Sequence, residues 1–409
     1  MKKILKMVLV GALLITSVCS LTACKKGGDD MTTADINSKK IGTHYMVNDG
    51  LTDMAANGVV QVVDDKTAIC YAIYLASDQK LGESDQLVKL AKFSVMQPTN
   101  VHWVTVFDRD IDFGGDNLSE GSIIDLNNDY VRVYAINMVN YVYYYKDVNK
   151  KTLEVGELKE LKFRTPDSSE KTTFTKDNIN AYLRSINCQE FGHLMFASNI
   201  ISVNGFYYAN FGGGVNMTNY IFARSADGET WNFISIVKHD YSYEVMLAYH
   251  DNKFWAFCRN GFVNPSTETR ENLLYSADNG KTWTQSNLAL TASDTRPFLF
   301  NYQGDLYLAY SSPLDPEYST VRTHRCNIHI GKITSNGGKE TFDEIIYKES
   351  KFGIVYYSVI DWYGKMIMLY SSGELNPERG AMNWKTQGKD CINYTILQEV
   401  DPILSLSSN

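Results

Sequence analysis

The chain has 409 residues with a formal net charge of -8 at pH 7, and it is rich in aromatic residues, with 27 Tyr and 18 Phe. An acidic balance of this size argues against a nucleic-acid partner, which is held by neutralising phosphates with Lys and Arg. No Gly-rich phosphate loop, zinc-ligand spacing or Gly-x-Ser-x-Gly elbow is present and the 7 His are scattered, so the sequence implies no cofactor and no metal.

The first 23 residues read as an export signal. Lys2, Lys3 and Lys6 form a basic start, and the apolar run Met7 to Thr16 is too short to span a bilayer as a mature helix. It is followed by Leu21-Thr-Ala-Cys24, which resembles a bacterial lipobox. That resemblance implies cleavage before Cys24, acylation of Cys24 and a lipid-anchored protein of the cell envelope facing outside. Residues 24–40 are then expected to be a flexible tether, and 41–409 the folded domain. No later segment is apolar for long enough to cross a bilayer.

From residue 57 onward a single unit recurs: a polar lead residue, an apolar strand, a turn, and an aromatic-rich strand. It spans Asn57 to Tyr74, Glu120 to Tyr134, Phe196 to Asn210, Glu244 to Arg259, Arg296 to Tyr310, and Tyr356 to Tyr370. The turns are Asp64-Asp65, Asn127-Asn128, Asn204-Gly205, Asp251-Asn252, Gln303-Gly304 and Tyr363-Gly364, all of hairpin chemistry. Their spacing of roughly 50 to 75 residues has room for four strands and their loops. Val, Ile, Tyr and Phe fill the strands, as packed sheets require. Asn178 to Ile186 is the best helical candidate. The expected fold is all-β, a six-bladed β-propeller; a large β-sandwich is the competing architecture.

Two further segments, Arg224-Ser-Ala-Asp-Gly-Glu-Thr-Trp-Asn-Phe233 and Tyr275-Ser-Ala-Asp-Asn-Gly-Lys-Thr-Trp-Thr-Gln285, share the pattern Ser-x-Asp-(x)-Gly-x-Thr-Trp. In such a turn the Asp accepts backbone N–H bonds, Gly228 and Gly280 supply a left-handed position, and Trp231 and Trp283 fold back as apolar plugs. The pattern resembles the Asp-box (BNR repeat) found on the blades of sialidases and other propellers. There it is a structural staple remote from chemistry.

In a propeller the first strands start near the axis on one face, so the lead residues Asn57, Glu120, Glu244, Arg296 and Tyr356 converge; His193 or Ser198 stands in for the third blade. The stretch from about 220 to 375 resembles the sialidase superfamily more specifically. Glu244 opens the fourth blade and Arg259 ends its second strand. Arg325-Cys-Asn-Ile-His-Ile330 matches an arginine opening an outer strand of the fifth blade, and Tyr356-Tyr-Ser matches the tyrosine that opens the sixth. Blade register favours Tyr356, and the Tyr-Ser pair favours Tyr357; strand alternation puts the two on opposite faces.

The resemblance implies an exo-acting retaining glycoside hydrolase in which Tyr356 or Tyr357 is the nucleophile and Glu244 its base. Asp85 or Asp78 is the acid/base, and Arg259, Arg325, Arg296 and Asn57 bind the substrate. A phenol nucleophile suits sialic acids, whose carboxylate on the anomeric carbon repels an anionic Asp or Glu; arginines grip that carboxylate. The family's first arginine stands in Arg-Ile-Pro at the start of blade one, where this chain reads Ala56-Asn57-Gly58. Arg296 is placed to substitute for it in part. The alternative reading is a non-catalytic, lipid-anchored glycan-binding propeller, and a protein-interaction propeller is a third. The expected partner is a glycan, the expected state a monomer, and the expected membrane contact the lipid anchor alone. The remaining cysteines, Cys70, Cys188, Cys258, Cys326 and Cys391, have no ligand spacing, and Cys70 and Cys258 are expected to be buried thiols.

Overall fold

The computed structural model describes the chain at 36–37, 44–47, 54–62, 67–75, 86–94, 97–196, 199–213, 218–240, 243–259, 269–291, 295–311, 327–336, 338–350, 352–362, 365–376, 381–382 and 394–400. Within these, side chains are described for 87–93, 102–119, 121–196, 199–213, 218–240, 243–259, 269–291, 295–311, 328–336, 338–345, 357–361 and 366–368. Residues 1–36 and 37–409 are separate units, and the sheets that follow belong to the second. Cys24 and the signal and lipobox readings lie outside the described residues.

All six sequence hairpins form, and each joins the first two strands of its own sheet. In blade one the strands are Met54–Val62, Thr67–Leu75, Gln86–Ser94 and Gln97–Asp108; in blade two, Leu118–Asp125, Tyr130–Asn137, Val142–Asn149 and Lys159–Glu160. Blade three has a first strand in two pieces, Met195–Phe196 and Ile201–Val203, followed by Phe206–Gly212, Asn219–Ser225 and Thr230–Lys238. Its edge is extended by Lys162–Arg164, which pairs in parallel with Thr230–Lys238. Blade four is Tyr243–His250, Lys253–Arg259, Leu273–Ser276 and Thr284–Gln285. Blade five is Phe298–Tyr302, Asp305–Tyr310, Asn327–Asn336 and Lys339–Ser350. Blade six is Phe352–Trp362, Lys365–Asn376 and Tyr394–Val400, and its outermost strand is His44–Val47.

First strands of successive blades lie against one another, and that of blade six lies against that of blade one. The ring is therefore closed, a six-bladed β-propeller. Pairing of His44–Val47 with Thr395–Gln398 completes the last blade with chain from before the first. Closure of this kind leaves the ring no open seam, which a sandwich cannot achieve.

Aromatic and branched side chains fill the spaces between blades. Tyr134, Tyr143, Phe174, Phe196 and Phe211 form one continuous cluster between blades two and three, with ring centroids of successive pairs 4.5–5.2 Å apart. The helix predicted near 178–186 runs over Lys176–Ser185, capped by Thr175 Oγ1, which accepts the Asn178 N–H at 3.2 Å. It turns Ile179 and Leu183 into that core, and its buried Asn180 amide bonds both the N–H and the C=O of Phe191. A second helix, Arg109–Phe113, has no periodic signal in the sequence; it forms because Asp108 caps the N–H groups of Asp110 and Ile111. Cys258 is fully buried, as expected, and burial pushes its thiol pKa up. The side chain of Cys70, and all of Cys326 and Cys391, lie outside the described residues.

The two Ser-x-Asp turns have one construction. Ser225 Oγ accepts from Gly228 N at 2.9 Å, and Asp227 Oδ1 accepts from Glu229 N at 2.8 Å and Thr230 N at 2.9 Å. In blade four, Ser276 Oγ accepts from Gly280 N and Asp278 Oδ1 accepts from Thr282 N, both at 2.9 Å. Each glycine carbonyl then takes a hydroxyl from the preceding blade: Tyr134 to Gly228 at 2.8 Å and Ser235 to Gly280 at 2.6 Å. Arg132 adds to the first of these staples. It bonds Asp147 at 2.7 and 2.9 Å and the Asp227 carbonyl at 2.8 Å. The turns thus stitch blade two to three and blade three to four.

Gly280 adopts φ 82°, and a Cβ there would lie 1.9 Å from the buried Phe222 ring. Gly280→Ala is expected to destabilise the protein by about 2–4 kcal/mol, from overpacking and a strained backbone together, measured as the denaturant midpoint. The acid limb of stability is also set here. Thr282 and Ser276 hold the Asp278 carboxyl down to about 2. Burial pushes the Asp227 carboxyl up, but bonds from Thr230, Glu229 and Ser225 outweigh this and hold it below its ordinary value. Both folded values lie under the unfolded value near 3.9. The stabilisation is therefore complete above about pH 4 and is lost as pH falls toward about 2. Asp278→Asn is expected to flatten the fall in stability across that window and to leave its slope near neutrality unchanged.

Candidate active site

The first strands carry a shared irregularity that aims the lead residues. In blade four the pairing jumps from Tyr243↔Arg259 to Met246↔Phe257, so Glu244 and Val245 face one partner residue. In blade six it jumps from Val355↔Ser371 to Ser358↔Leu369, leaving Tyr356 and Tyr357 opposite one residue. Blade two does the same at Gly121 and Ser122, and in blade one three residues, Ala56, Asn57 and Gly58, face one. A β-bulge bends its strand and re-aims side chains, and bulges gather next to active sites. Glu244 takes a left-handed φ of 41°, which a carboxylate residue adopts only where its surroundings enforce it.

The bulges correct two sequence expectations. Glu120 falls just before its bulge, paired with Ala135, so the bulge itself holds Gly121 and Ser122. The alternation argument separating Tyr356 from Tyr357 also fails, because an inserted residue breaks the two-residue period at that point.

Four predicted residues meet at the ring. Glu244, Arg259, Arg296 and Tyr357 are all buried, with 6%, 2%, 8% and 0% of their surface exposed. The Arg259 guanidinium donates from Nη1 to Glu244 Oε2, a charge-assisted bond with both partners buried. Arg259 also stands over the Tyr243 ring, 5.3 Å from its centroid. The Tyr357 hydroxyl lies 3.5 Å from the Oγ of Ser311, the residue that follows the second strand of blade five. Burial pushes the Tyr357 phenol pKa up; the Ser311 bond and the positive charges of Arg259 and Arg296 pull it back down. Tyr357 therefore sits near two guanidiniums and a hydroxyl, and one of those guanidiniums bonds Glu244. Such a cluster can accept an anion and can stabilise negative charge on a phenol oxygen.

Not every predicted residue enters this cluster. His193 is exposed, its Nδ1 2.8 Å from the Tyr141 hydroxyl. The side chains of Asn57, Glu120 and Tyr356 lie outside the described residues, as do Asp78, Asp85, Ser198 and Arg325 entirely. Ser311 was not foreseen. A signal existed for Ser311: it follows the Gln303-Gly304 turn by the same interval at which Arg259 follows Asp251-Asn252.

No protein-family model matches the sequence, and no curated protein does. Solved structures do match in fold. A sialidase of Trypanosoma rangeli in complex with an inhibitor superposes with a TM-score of 0.56 at 13% identity, covering 88% of this chain and 56% of that one. A Hadza microbial sialidase gives 0.56 at 11% identity over 88% and 68% of the two chains. The endosialidase of phage phi92 gives 0.58 at 12% identity over 88% and 69%. The chain thus spans little more than half the length of the trypanosomal protein, and at these identities the likeness is one of fold: a sialidase-like β-propeller.

Proposed function

We propose that the protein is an exo-acting glycoside hydrolase of the sialidase superfamily that removes a terminal sugar from glycans with retention. The observation that carries the reading is the meeting of Tyr357 and Glu244, on the bulged first strands of blades six and four, with Arg259 and Arg296 in a sialidase-like ring. In the first step the tyrosine oxygen bonds to the anomeric carbon as the aglycone oxygen leaves with a proton from Asp85 or Asp78. The phenol proton passes to Glu244. In the second step water adds to the anomeric carbon, gives its proton to the same Asp, and the tyrosine oxygen departs and is reprotonated. Tyr357 is the nucleophile of choice because its hydroxyl is flanked by both arginines; Tyr356 is the alternative. Arg259, Arg325, Arg296 and Asn57 hold the sugar.

The remaining expectations belong to the same reading. The two stapling turns are Asp-boxes, and the protein is exported and lipid-anchored through Cys24 at the cell envelope. It acts there as a monomer on glycans. One observation favours a second reading, a glycan-binding propeller without catalysis: the start of blade one offers Ala56, Asn57 and Gly58 where the superfamily has an arginine. A panel of sialylated and non-sialylated glycans, assayed for released sugar with Glu244→Gln as control, separates the two. Released monosaccharide that depends on Glu244 supports the hydrolase. Glycan binding with no product at high protein concentration sinks it in favour of the binding module.

A further inference from the structure

Among the described residues, three places away from the Tyr357–Glu244 pair carry unassigned chemistry. One is a hollow of about 460 Å³ lined by Thr218, Lys238, His239, Asp240 and Gln285. Charges of both signs line it, and His239 and Gln285 already contact the Glu271 carbonyl at 3.1 and 2.9 Å. Another is the Tyr141–His193 pair with Lys176 lying 4.2 Å from the Tyr141 ring, where the lysine already covers the aromatic face. The third is a cavity of about 430 Å³ at the turn ends of the first strands of blades three, four and five, and it reaches furthest.

This cavity is separate from the axial cluster. Glu244 stands near the start of the first strand of blade four and Tyr249, which lines the cavity, near its end. A strand rises about 3.3 Å per residue, so the two backbones are roughly 15 Å apart. Bonds between blades fix the walls. Asn199, between the two pieces of the first strand of blade three, donates to the Leu247 carbonyl at 3.0 Å and accepts the Leu247 N–H at 2.8 Å. Asn301 of blade five donates to the Tyr249 carbonyl at 2.8 Å. The aromatic walls are held from behind: Tyr249 lies against Phe254 with ring centroids 4.9 Å apart, and Phe300 stacks on Tyr307 at 5.6 Å. Walls braced in this way make a preformed site, as small-ligand pockets are.

The lining limits what the cavity can hold. None of its residues carries a charge, so a carboxylate, phosphate or ammonium would lose its water there with nothing to pair it. A purely apolar ligand fits no better, because exposed Ser202, Asn204 and Asn301 line the cavity beside Tyr249. Their hydroxyl and amide groups both donate and accept hydrogen bonds. A sugar ring has the matching mixture: a face of C–H groups for an aromatic wall, and an edge of hydroxyls that donate and accept. The volume falls in the range of about 300–1,000 Å³ usual for small-ligand sites. We propose that this cavity is a second carbohydrate site, specific for an uncharged mono- or disaccharide. Tyr249 and Phe300 lie against the ring face, and Ser202, Asn204 and Asn301 bond its hydroxyls. The site needs no catalysis and does not depend on the function proposed for the axial cluster, so either can fail alone.

The test is ligand-observed nuclear magnetic resonance titration of the full chain with methyl β-lactoside, a neutral disaccharide, and with its sulfate ester. Ser202→Trp and Tyr249→Leu are titrated alongside, each checked by thermal melting. The wild type is expected to bind the lactoside with a Kd on the order of 0.1–1 mM. The sulfate, whose charge the lining cannot pair, is expected to bind at least about tenfold more weakly. Ser202→Trp puts a bulky ring into the cavity from an exposed position, so the lactoside should weaken by at least about tenfold. No binding of the lactoside by the wild type overturns the inference, and so does equal affinity for the sulfate. Unchanged affinity in Ser202→Trp overturns it too, by placing the sugar elsewhere on the protein. Should Ser202→Trp fail to fold, Tyr249→Leu decides alone: it removes an aromatic wall, and an unchanged Kd sinks the proposal.

Discussion

Arg259→Ala is expected to lower global stability by about 3–5 kcal/mol, the cost of breaking a buried ion pair by removing one partner. The physical situation is specific. The Glu244 side chain is only 7% exposed and the Arg259 side chain 2%, so deleting the guanidinium leaves the carboxylate in a low-dielectric site without its countercharge. Glu244 is also held at a positive φ by the bulge, so it has little freedom to turn toward water. The melting temperature should fall by several degrees. A double-mutant cycle with Glu244→Gln carries the diagnosis. Arg259→Ala should cost markedly less in the Glu244→Gln background, because no uncompensated carboxylate is then left buried. A loss that stays the same in both backgrounds would mean that Arg259 contributes packing rather than charge.

The second large effect is on catalysis. Tyr357→Phe removes one oxygen from a site where the ring is fully buried and its hydroxyl contacts Ser311. The ring still fills its space, so folding should change by no more than the net value of one hydrogen bond, about 1 kcal/mol. Turnover should fall by at least about a thousandfold, since deleting the nucleophile of a covalent mechanism costs up to about a millionfold elsewhere. Binding of an unreactive sugar acid should persist within a few-fold, because Arg259 and Arg296 remain. That split between lost turnover and kept affinity marks a nucleophile. Tyr356→Phe with the same split, and Tyr357→Phe without it, would move the role one residue along the strand.

Much of the architecture can be read from the chain because it is written in local chemistry. A hairpin needs only an apolar run, a turn and a second run, and six such units place twelve of the strands without knowledge of how they meet. The Ser-x-Asp turns are equally local: Ser225, Asp227 and Gly228 are close neighbours in sequence and bond one another. Counting back from each turn leads to Glu244 and Arg296, which the structure buries, as it does Arg259 and Tyr357. The bulges are different. Whether two residues or one face a partner depends on the register between strands, and no residue type announces it. For that reason alternation cannot choose between Tyr356 and Tyr357, and counting lands on Glu120, one residue short of the bulge in blade two. Ser311 escapes notice because serine carries no charge, although its interval from the turn repeats that of Arg259. The helix Arg109–Phe113 is silent because a single turn has no period to detect; its sign is the cap at Asp108.

The proposed mechanism stands or falls on a covalent step at Tyr357, and mechanism-based labelling reads that step directly. The full chain is incubated with a 2,3-difluoro sialic acid, whose fluorines slow the release of a glycosyl-enzyme more than its formation, then digested and sequenced by mass spectrometry. One stoichiometric adduct is expected on the Tyr357 oxygen, absent from Tyr357→Phe and reduced in Arg296→Gln. An unlabelled protein under conditions where the sugar acid binds, or an adduct on a residue outside the Phe352–Trp362 strand, would refute the mechanism.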